Sequence, residues 1–298
     1  MRILITGGAG FIGSYIAEFF INRGDEVVIL DNLSSGKKEN MPKNAVFVNG
    51  SVTNKENVKK AIKGADYVFH LAAMVSVPLS FEKPEECLKI NSYGTKNILE
   101  ESLKNKVRKV IFSSSAAIYG DNLNVPLKED EPYFPLSPYA ESKVEGEKLC
   151  LKYSKKGLKT CALRYFNVYG KRQDPKSPYS GVITLFIDKA KRGEDIIIYG
   201  DGSQTRDFVH VSDIVSANVL AMDKGEGIFN VATGKEITIN SLAKEIIKIS
   251  KSKSKIIYKK GRDGDIKQSL ADIIKIKRLG FNPKINLKKG LKLLFEKD

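Results

Sequence analysis

Short apolar runs at residues 3–6, 27–30, 46–48, 67–72, 110–113 and 160–166 alternate with stretches at 11–23, 55–63, 85–106 and 139–155 whose apolar positions recur at helical spacing. Strand–helix alternation at this interval predicts a parallel, doubly wound sheet with right-handed crossovers. The strand runs are almost wholly apolar rather than alternating, as expected for strands covered on both faces. Beyond residue 166 the pattern loosens, and Pro175, Pro178, Gly181, Gly200 and Gly202 punctuate it. A strand-like run at 256–258 and helical stretches at 241–249, 273–279 and 287–295 predict a smaller α/β lobe over the end of the sheet. The expected division is 1–166 and 167–298, with some later segments returning to the first unit.

The first strand runs into Gly7-Gly8-Ala9-Gly10-Phe11-Ile12-Gly13, where the first helix opens. Glycines there permit a tight turn, close approach of backbone to a pyrophosphate and close helix–strand packing. The anion then sits on the free N–H groups of a helix N-terminus. Asp31 ends the second strand, where a carboxylate accepts from ribose hydroxyls and repels a 2′-phosphate, so NAD is expected over NADP. A turn-initiating Asp followed by Asn32 is the plainer reading of the same residue. The fold expected is α/β: a doubly wound parallel Rossmann sheet with a smaller C-terminal α/β lobe that binds substrate.

Composition narrows the classes. Three cysteines without a CxxC pair and only two histidines suggest neither a disulfide framework nor a metal cluster, so no metal is expected. The opening lacks a signal peptide's apolar region and no run is long enough to span a bilayer, which fits a cytoplasmic protein. The net charge of +15 comes from scattered lysines without aromatic interleaving. It is read as a solvated surface, not a nucleic-acid or membrane face.

Tyr139 and Lys143 stand four residues apart near the start of a predicted helix and so share a face. An ammonium beside a phenol lowers its pKa, and a phenolate can take a proton from a sugar hydroxyl as hydride leaves the same carbon. Ser113-Ser114-Ser115 follows an apolar strand, placing hydroxyls at the carboxyl edge of the sheet, where ligands bind. The plainer reading of Ser115 is a strand end that caps the next segment.

GGAGFIG, HLAA at 70–73, Asn91 in NSYGT, SSSAAIYG at 113–120, YAESK at 139–143, RYFNVYG at 164–170, GDGSQTRDFVHVSD at 200–213 and RDGD at 262–265 resemble the extended short-chain dehydrogenases that act on nucleotide sugars, nearest to the UDP-galactose 4-epimerases. The resemblance implies Tyr139 as base, Lys143 on the nicotinamide ribose and Ser115 on the sugar 4-hydroxyl. It implies a cofactor cradle of Gly7, Gly10, Phe11, Ile12, Gly13, Asp31, Asn32, Ser51, Leu71, Ala72, Ala73, Asn91 and Ser113, together with Tyr139 and Lys143. The substrate's nucleotide end falls to Asn167, Tyr199, Arg206, Arg262 and Asp265. Each arginine suits phosphate by its planar fork, or else pairs with the adjacent Asp207 or Asp263. The implied partner is a UDP-sugar, and the implied assembly a homodimer joined through 85–106 and 139–155, with Leu88, Ile98, Leu99, Val144, Leu149 and Leu151 as its apolar residues.

Three departures bear on the reading. Gly50-Ser51 stands where relatives carry Gly-Asp at the adenine, and Met74 where they often carry Gln. Ala116 and Ala117 follow Ser115 where dehydratases and uronate decarboxylases carry an acidic residue, which argues against both. Ser269 occupies a position that is a bulky Tyr in members restricted to plain hexoses, so room for an acetamido group is expected; otherwise Ser269 merely N-caps the next helix. The remaining alternatives are a nucleotide-sugar dehydrogenase, reductase or uronate epimerase, and a non-catalytic NAD sensor.

Overall fold

The computed structural model describes residues 1–175, 181–261 and 266–296. The main sheet takes strands β1 (Arg2–Thr6), β2 (Glu26–Asp31), β3 (Val46–Asn49), β4 (Tyr67–His70), β5 (Lys109–Ser115) and β6 (Thr160–Tyr165). Past them, β7 (Asn167–Tyr169), β8 (Ile196–Tyr199), β9 (Thr205–His210), β10 (Gly227–Val231), β11 (Glu236–Thr238) and β12 (Ile256–Lys259) complete the strands. Helices α1 (Phe11–Asn22), α2 (Lys55–Ile62), α3 (Val77–Glu82), α4 (Pro84–Leu88), α5 (Gly94–Lys104) and α6 (Pro138–Ser154) lie between the first six strands. The later helices are α7 (Val182–Arg192), α8 (Val211–Asp223), α9 (Ile239–Ser250), α10 (Ile274–Arg278) and α11 (Leu287–Phe295).

The seven-stranded parallel sheet has the order β10-β6-β5-β4-β1-β2-β3. Strand order reverses between β1 and β4, so a crevice opens there at the carboxyl edge, the usual ligand site of a doubly wound sheet. Alternate residues of each strand enter opposite cores: Ile3, Ile5, Val27 and Ile29 on one face, Leu4, Val28, Leu30 and Val68 on the other. Strand β10 and helix α8, which packs on α1, return to this body from the second half. The remaining strands form a three-stranded sheet β11-β9-β7 and a two-stranded sheet β12-β8 around a third core that includes Ile183, Phe186, Ile198, Leu242 and Leu291.

The helix expected at 85–106 is divided. A π-helical turn, Lys89–Tyr93, separates α4 from α5 and carries buried Asn91. A π turn inserts an extra residue per turn and commonly marks a functional position. Of the apolar residues expected at a dimer face, Ile98, Leu99 and Val144 are buried in the chain's own cores. Leu149 packs partly against them, while Leu88 and Leu151 stay exposed. Among the described residues, no helix is long and apolar enough to cross a membrane.

Candidate active site

The turn after β1 is shaped by missing side chains. Gly7 has a φ of +70°, and a Cβ there would come within 2.8 Å of the Ala72 nitrogen after β4. A Cβ on Gly13 would collide with the Gly7 carbonyl oxygen. Gly10 caps α1 without a side-chain hydrogen bond, so Phe11, Ile12 and Gly13 present first-turn N–H groups beside this cradle. Leu71 and Ala72 donate their N–H groups to Thr6 Oγ1, closing β1 against β4, and Ala73 follows, half-buried. The cradle fits a dinucleotide pyrophosphate: it is open backbone at a helix N-terminus, and side chains would fill it.

Asp31 is nearly buried. Its carboxylate accepts from Ala9 N (3.0 Å) and Leu33 N (2.8 Å), so it braces the glycine turn and the loop after β2. Asn32 is exposed and accepts from Ser34 N in an Asx turn. Ser51 sits where β3 ends, next to Gly50, whose N–H donates to Asp31 O; its own hydroxyl pairs with Thr53 Oγ1. Gly36 escaped the sequence reading. It abuts Ala9, and Lys37 N donates to Ala9 O, so the β2 loop lies on the turn.

Pro138 at the first turn and Ser137, whose hydroxyl accepts from Ala140 N, start α6 just before Tyr139. Ser115 lies beside Tyr139 and caps the 3-10 turn that follows β5, accepting from Ala117 N. Lys143 Nζ donates to Ser113 O (2.7 Å), 5.1 Å from the Phe112 ring centre and 5.8 Å from that of Tyr139. The ammonium does not lower the phenol as expected: the Tyr139 pKa is raised. Burial, the largest cause, pushes Tyr139 up, against the neighbouring Ser115 hydroxyl and with Cys87 adding to the rise. The ammonium is bonded to a carbonyl instead, and burial pushes Lys143 down to about 8. Asn91 clamps the loop after β4 through Met74 N (2.7 Å) and Met74 O (3.0 Å), and donates to Ser142 Oγ (2.8 Å). Met74 therefore acts through its backbone. His70 bridges Thr6 and Thr95 with both ring nitrogens, and burial drives its pKa to about 3.

Ser115 pairs in register with Tyr165, and β6 passes through Phe166 into β7, so Asn167 begins a strand two residues beyond the partner of Ser115. Asn167 Nδ2 donates to Asp207 O (3.2 Å) and lies 3.5 Å from Ser269 Oγ. Asn167 and Arg206 line one cavity of about 220 Å³ with Tyr169 and Phe208. Arg206 does not pair with the adjacent Asp207. The Asp207 carboxylate points to the other face of β9 and accepts from Thr233, Gly234 and Ala271, whereas Arg206 Nη1 donates to Ile266 O (2.6 Å). The N-cap alternative for Ser269 also fails: α10 opens at Ile274 with Ile273 at its cap, and Ser269 is a buried residue of the preceding loop. Tyr199, at the end of β8, is outside the residues lining this cavity. Arg262 and Asp265 lie outside the described residues.

Sequence reasoning missed a buried hub under the site. Arg164 on β6 makes a bidentate pair with Glu147 on α6 (2.9 and 2.7 Å), both essentially inaccessible. A lone arginine in the apolar run Thr160-Cys161-Ala162-Leu163-Arg164-Tyr165-Phe166 was its available signal.

A dinucleotide cradle at the switch point, with a serine, a tyrosine and a lysine at its edge, defines a dinucleotide-dependent enzyme that works on a hydroxyl or carbonyl carbon. The chain belongs to the NAD dependent epimerase/dehydratase family, which it matches over residues 3–232. NAD is the cofactor of that family. Among solved structures, it resembles a Thermotoga maritima UDP-glucose 4-epimerase with UDP-glucose, at 44% identity, 98% and 97% coverage of the two chains and a TM-score of 0.96. It also resembles a Methanobrevibacter ruminantium UDP-N-acetylglucosamine 4-epimerase in complex with UDP-N-acetylmuramic acid, at 41% identity, 99% and 98% coverage and a TM-score of 0.94. A Bacillus cytotoxicus UDP-N-acetyl-alpha-D-glucosaminuronate decarboxylase is 40% identical over 98% of this chain and 95% of its own length.

Proposed function

We propose that the chain is a UDP-hexose 4-epimerase that works through a transient 4-keto sugar. The observation that carries this reading is the β5–α6 edge: Ser115 beside Tyr139, Lys143 anchored on Ser113 O, and alanines at 116 and 117 where an acid would assist elimination. Ser115 holds the 4-oxygen. Tyr139 takes the 4-hydroxyl proton and later returns it, and Lys143 orients the nicotinamide ribose while adding positive charge to the site. Bound NAD supplies the hydride acceptor and donor at sugar C4 and is regenerated in each turnover. Asn167 and Arg206 receive the diphosphate, where a guanidinium can give paired hydrogen bonds to phosphate oxygens. Free rotation of the keto sugar between the two hydride steps inverts C4.

The decarboxylase relative invites a second reading, which the carboxylates oppose. On α6, Glu141 is exposed and Glu147 is saturated by Arg164. A non-catalytic sensor would have no use for the intact Ser115, Tyr139 and Lys143. The buried Ser269 beside Asn167 favours acceptance of N-acetylated hexoses. Leu88, Leu151, Phe81 and Tyr93, exposed on and beside the α4–α6 layer, suit a second copy of the chain, so a homodimer is proposed; a monomeric mass by light scattering at micromolar concentration rejects it. The deciding assay gives purified protein UDP-galactose without added NAD. Conversion to UDP-glucose supports the epimerase, net NADH accumulation a dehydrogenase, and loss of carbon dioxide from UDP-glucuronate a decarboxylase.

A further inference from the structure

Tyr139, Lys143 and Glu147 follow one another at four-residue spacing along one face of α6. Each faces the three-serine end of β5: Tyr139 lies beside Ser115, Lys143 donates to the Ser113 carbonyl, and Glu147 accepts from the Ser114 hydroxyl. Glu147 also accepts from Tyr133 OH (2.9 Å) and from both arms of Arg164, which fills the acceptor sites of a carboxylate. Arg164 donates onward to Tyr119 OH (2.7 Å) and Glu129 O (2.9 Å). Tyr119 OH bonds Asn230, whose amide donates to Leu127 O and Asp272 O. Leu127 in turn exchanges backbone hydrogen bonds with Leu270 and Asp272, next to Ser269.

A buried ion pair is a poor device for stability, because desolvation offsets its attraction and apolar residues of equal size do as well or better. What a bidentate pair supplies is geometry. We propose that Glu147 and Arg164 are positioning residues: they lock the rotation of α6 against β5 and β6, and so hold Tyr139 and Lys143 at the reacting carbon. The groups facing Lys143 are His70 from β4, Cys87 from α4, and Tyr139, Glu147 and Cys150 from α6 itself. The thiols are neutral, their own pKa values raised by burial, so Glu147 is the one of these groups whose charge favours the ammonium against burial.

The inference rests on the proposed epimerase reading for its kinetic test, and a second readout frees it from that dependence. Glu147→Gln removes the charge; Glu147→Leu with Arg164→Met replaces the pair by apolar volume. Both are compared with wild type for melting temperature, NAD content, and kcat and KM on UDP-galactose across pH. The expected result is wild-type NAD content and a kcat lower by about 10- to 100-fold with little change in KM, the usual cost of a reacting group displaced by about 1 Å. With Lys143 as the group whose deprotonation limits the alkaline side, that limb is expected at lower pH in Glu147→Gln, which loses a negative charge, and to shift less in the apolar pair, which loses one charge of each sign. Titration of 13C-labelled lysine side chains, with Lys143→Arg identifying the signal, reads the same shift without turnover. A wild type that fails to epimerise while this signal still moves down in Glu147→Gln overturns the function and upholds the inference. Wild-type kcat in the charge-free pair, or losses that only track melting temperature with the Lys143 titration unmoved, overturns the inference. If neither variant folds, Tyr133→Phe at the half-buried edge of the hub decides: a kcat deficit of about 3-fold at unchanged KM is expected, and parity sinks the proposal.

Discussion

The crevice has two walls built on opposite principles. The proposed cofactor wall, residues 7–13 with the loop ends at 36–37 and 71–72, is shaped by absence: glycines let backbone approach backbone, and the groups it offers are main-chain N–H donors. The proposed catalytic wall, β5 against α6, is shaped by presence: side chains held by hydrogen bonds to one another and to the Ser113 carbonyl. The first is intolerant of added volume, the second of removed polarity. Chemistry and fold should therefore separate cleanly on the catalytic wall and fail together on the cofactor wall.

The largest effect tests the catalytic wall. Tyr139→Phe deletes one oxygen on a helix held elsewhere, so kcat should fall by about 10²–10⁴ with fold and NAD content intact. Activity within a few-fold of wild type would remove Tyr139 from the mechanism. On the cofactor wall, Gly13→Ala forces a Cβ into the Gly7 carbonyl, which should cost about 1–3 kcal/mol or more and strip NAD from the isolated protein. Gly24→Ala is the control. Its φ of +88° is strained but its surroundings are open, so stability should fall by only about 1 kcal/mol with NAD retained. Equal NAD content in the two variants would refute the steric account.

Next in size is the floor between the walls. Ser269→Tyr should lower kcat/KM for UDP-N-acetylglucosamine by about 100-fold, roughly 2.7 kcal/mol, and spare UDP-glucose. Wild type already rejecting the N-acetyl sugar to that extent would close the pocket argument. His70 sits where the walls meet. Its folded pKa, about 3, is below its unfolded value of about 6.5, so below pH 6.5 the unfolded chain binds a proton that the folded chain refuses. Stability is whole above that value and should drop by about 1.4 kcal/mol per pH unit as pH falls from 6.5 towards 3. Urea titrations at pH 7, 6 and 5 should show this slope in wild type and a shallower one in His70→Asn; equal slopes would assign the acid limb to other groups.

The cofactor wall was legible in the sequence because it is written in local order: a strand, three spaced glycines, a helix, then Asp31 at the next strand end. The sheet was legible because strands covered on both faces are continuous apolar runs. Legibility failed where structure is short or non-local. Strands β7, β8, β9 and β11 have three to six residues, too few to establish a period. Helix α8 is buried on most sides, Ile214, Val215, Ala217, Asn218 and Ala221 among them, so it lacks the polar stripe that marks a surface helix. The Glu147–Arg164 hub joins residues 17 apart in sequence, with Asn230 a further 66 along, and no local pattern announces such a network. Tyr139's raised pKa was likewise invisible, since the spacing of Tyr139 and Lys143 brings them to one face but says nothing of burial or of the Ser113 carbonyl that takes the ammonium.

The smallest effect concerns a residue that belongs to both principles. Asp31 is a side chain on the wall of backbone, and its two oxygens already accept from Ala9 N and Leu33 N. Each carboxylate oxygen retains a further lone pair for a ribose hydroxyl. Its charge disfavours a 2′-phosphate, so wild type should bind NAD more tightly than NADP. Asp31→Asn removes the charge and keeps one oxygen as acceptor; the NAD-to-NADP preference should narrow by about 10-fold, some 1.4 kcal/mol. Asp31→Ala should narrow it similarly but weaken both cofactors, because the buried Ala9 N–H of the turn loses its acceptor at about 1–3 kcal/mol and the part-buried Leu33 N–H loses its own. Calorimetry with both dinucleotides on all three proteins separates the two roles. NADP preferred by wild type would end the charge argument. An Asp31→Ala protein that binds NAD as tightly as Asp31→Asn would end the bracing one, leaving the glycine turn to hold its shape by sterics alone.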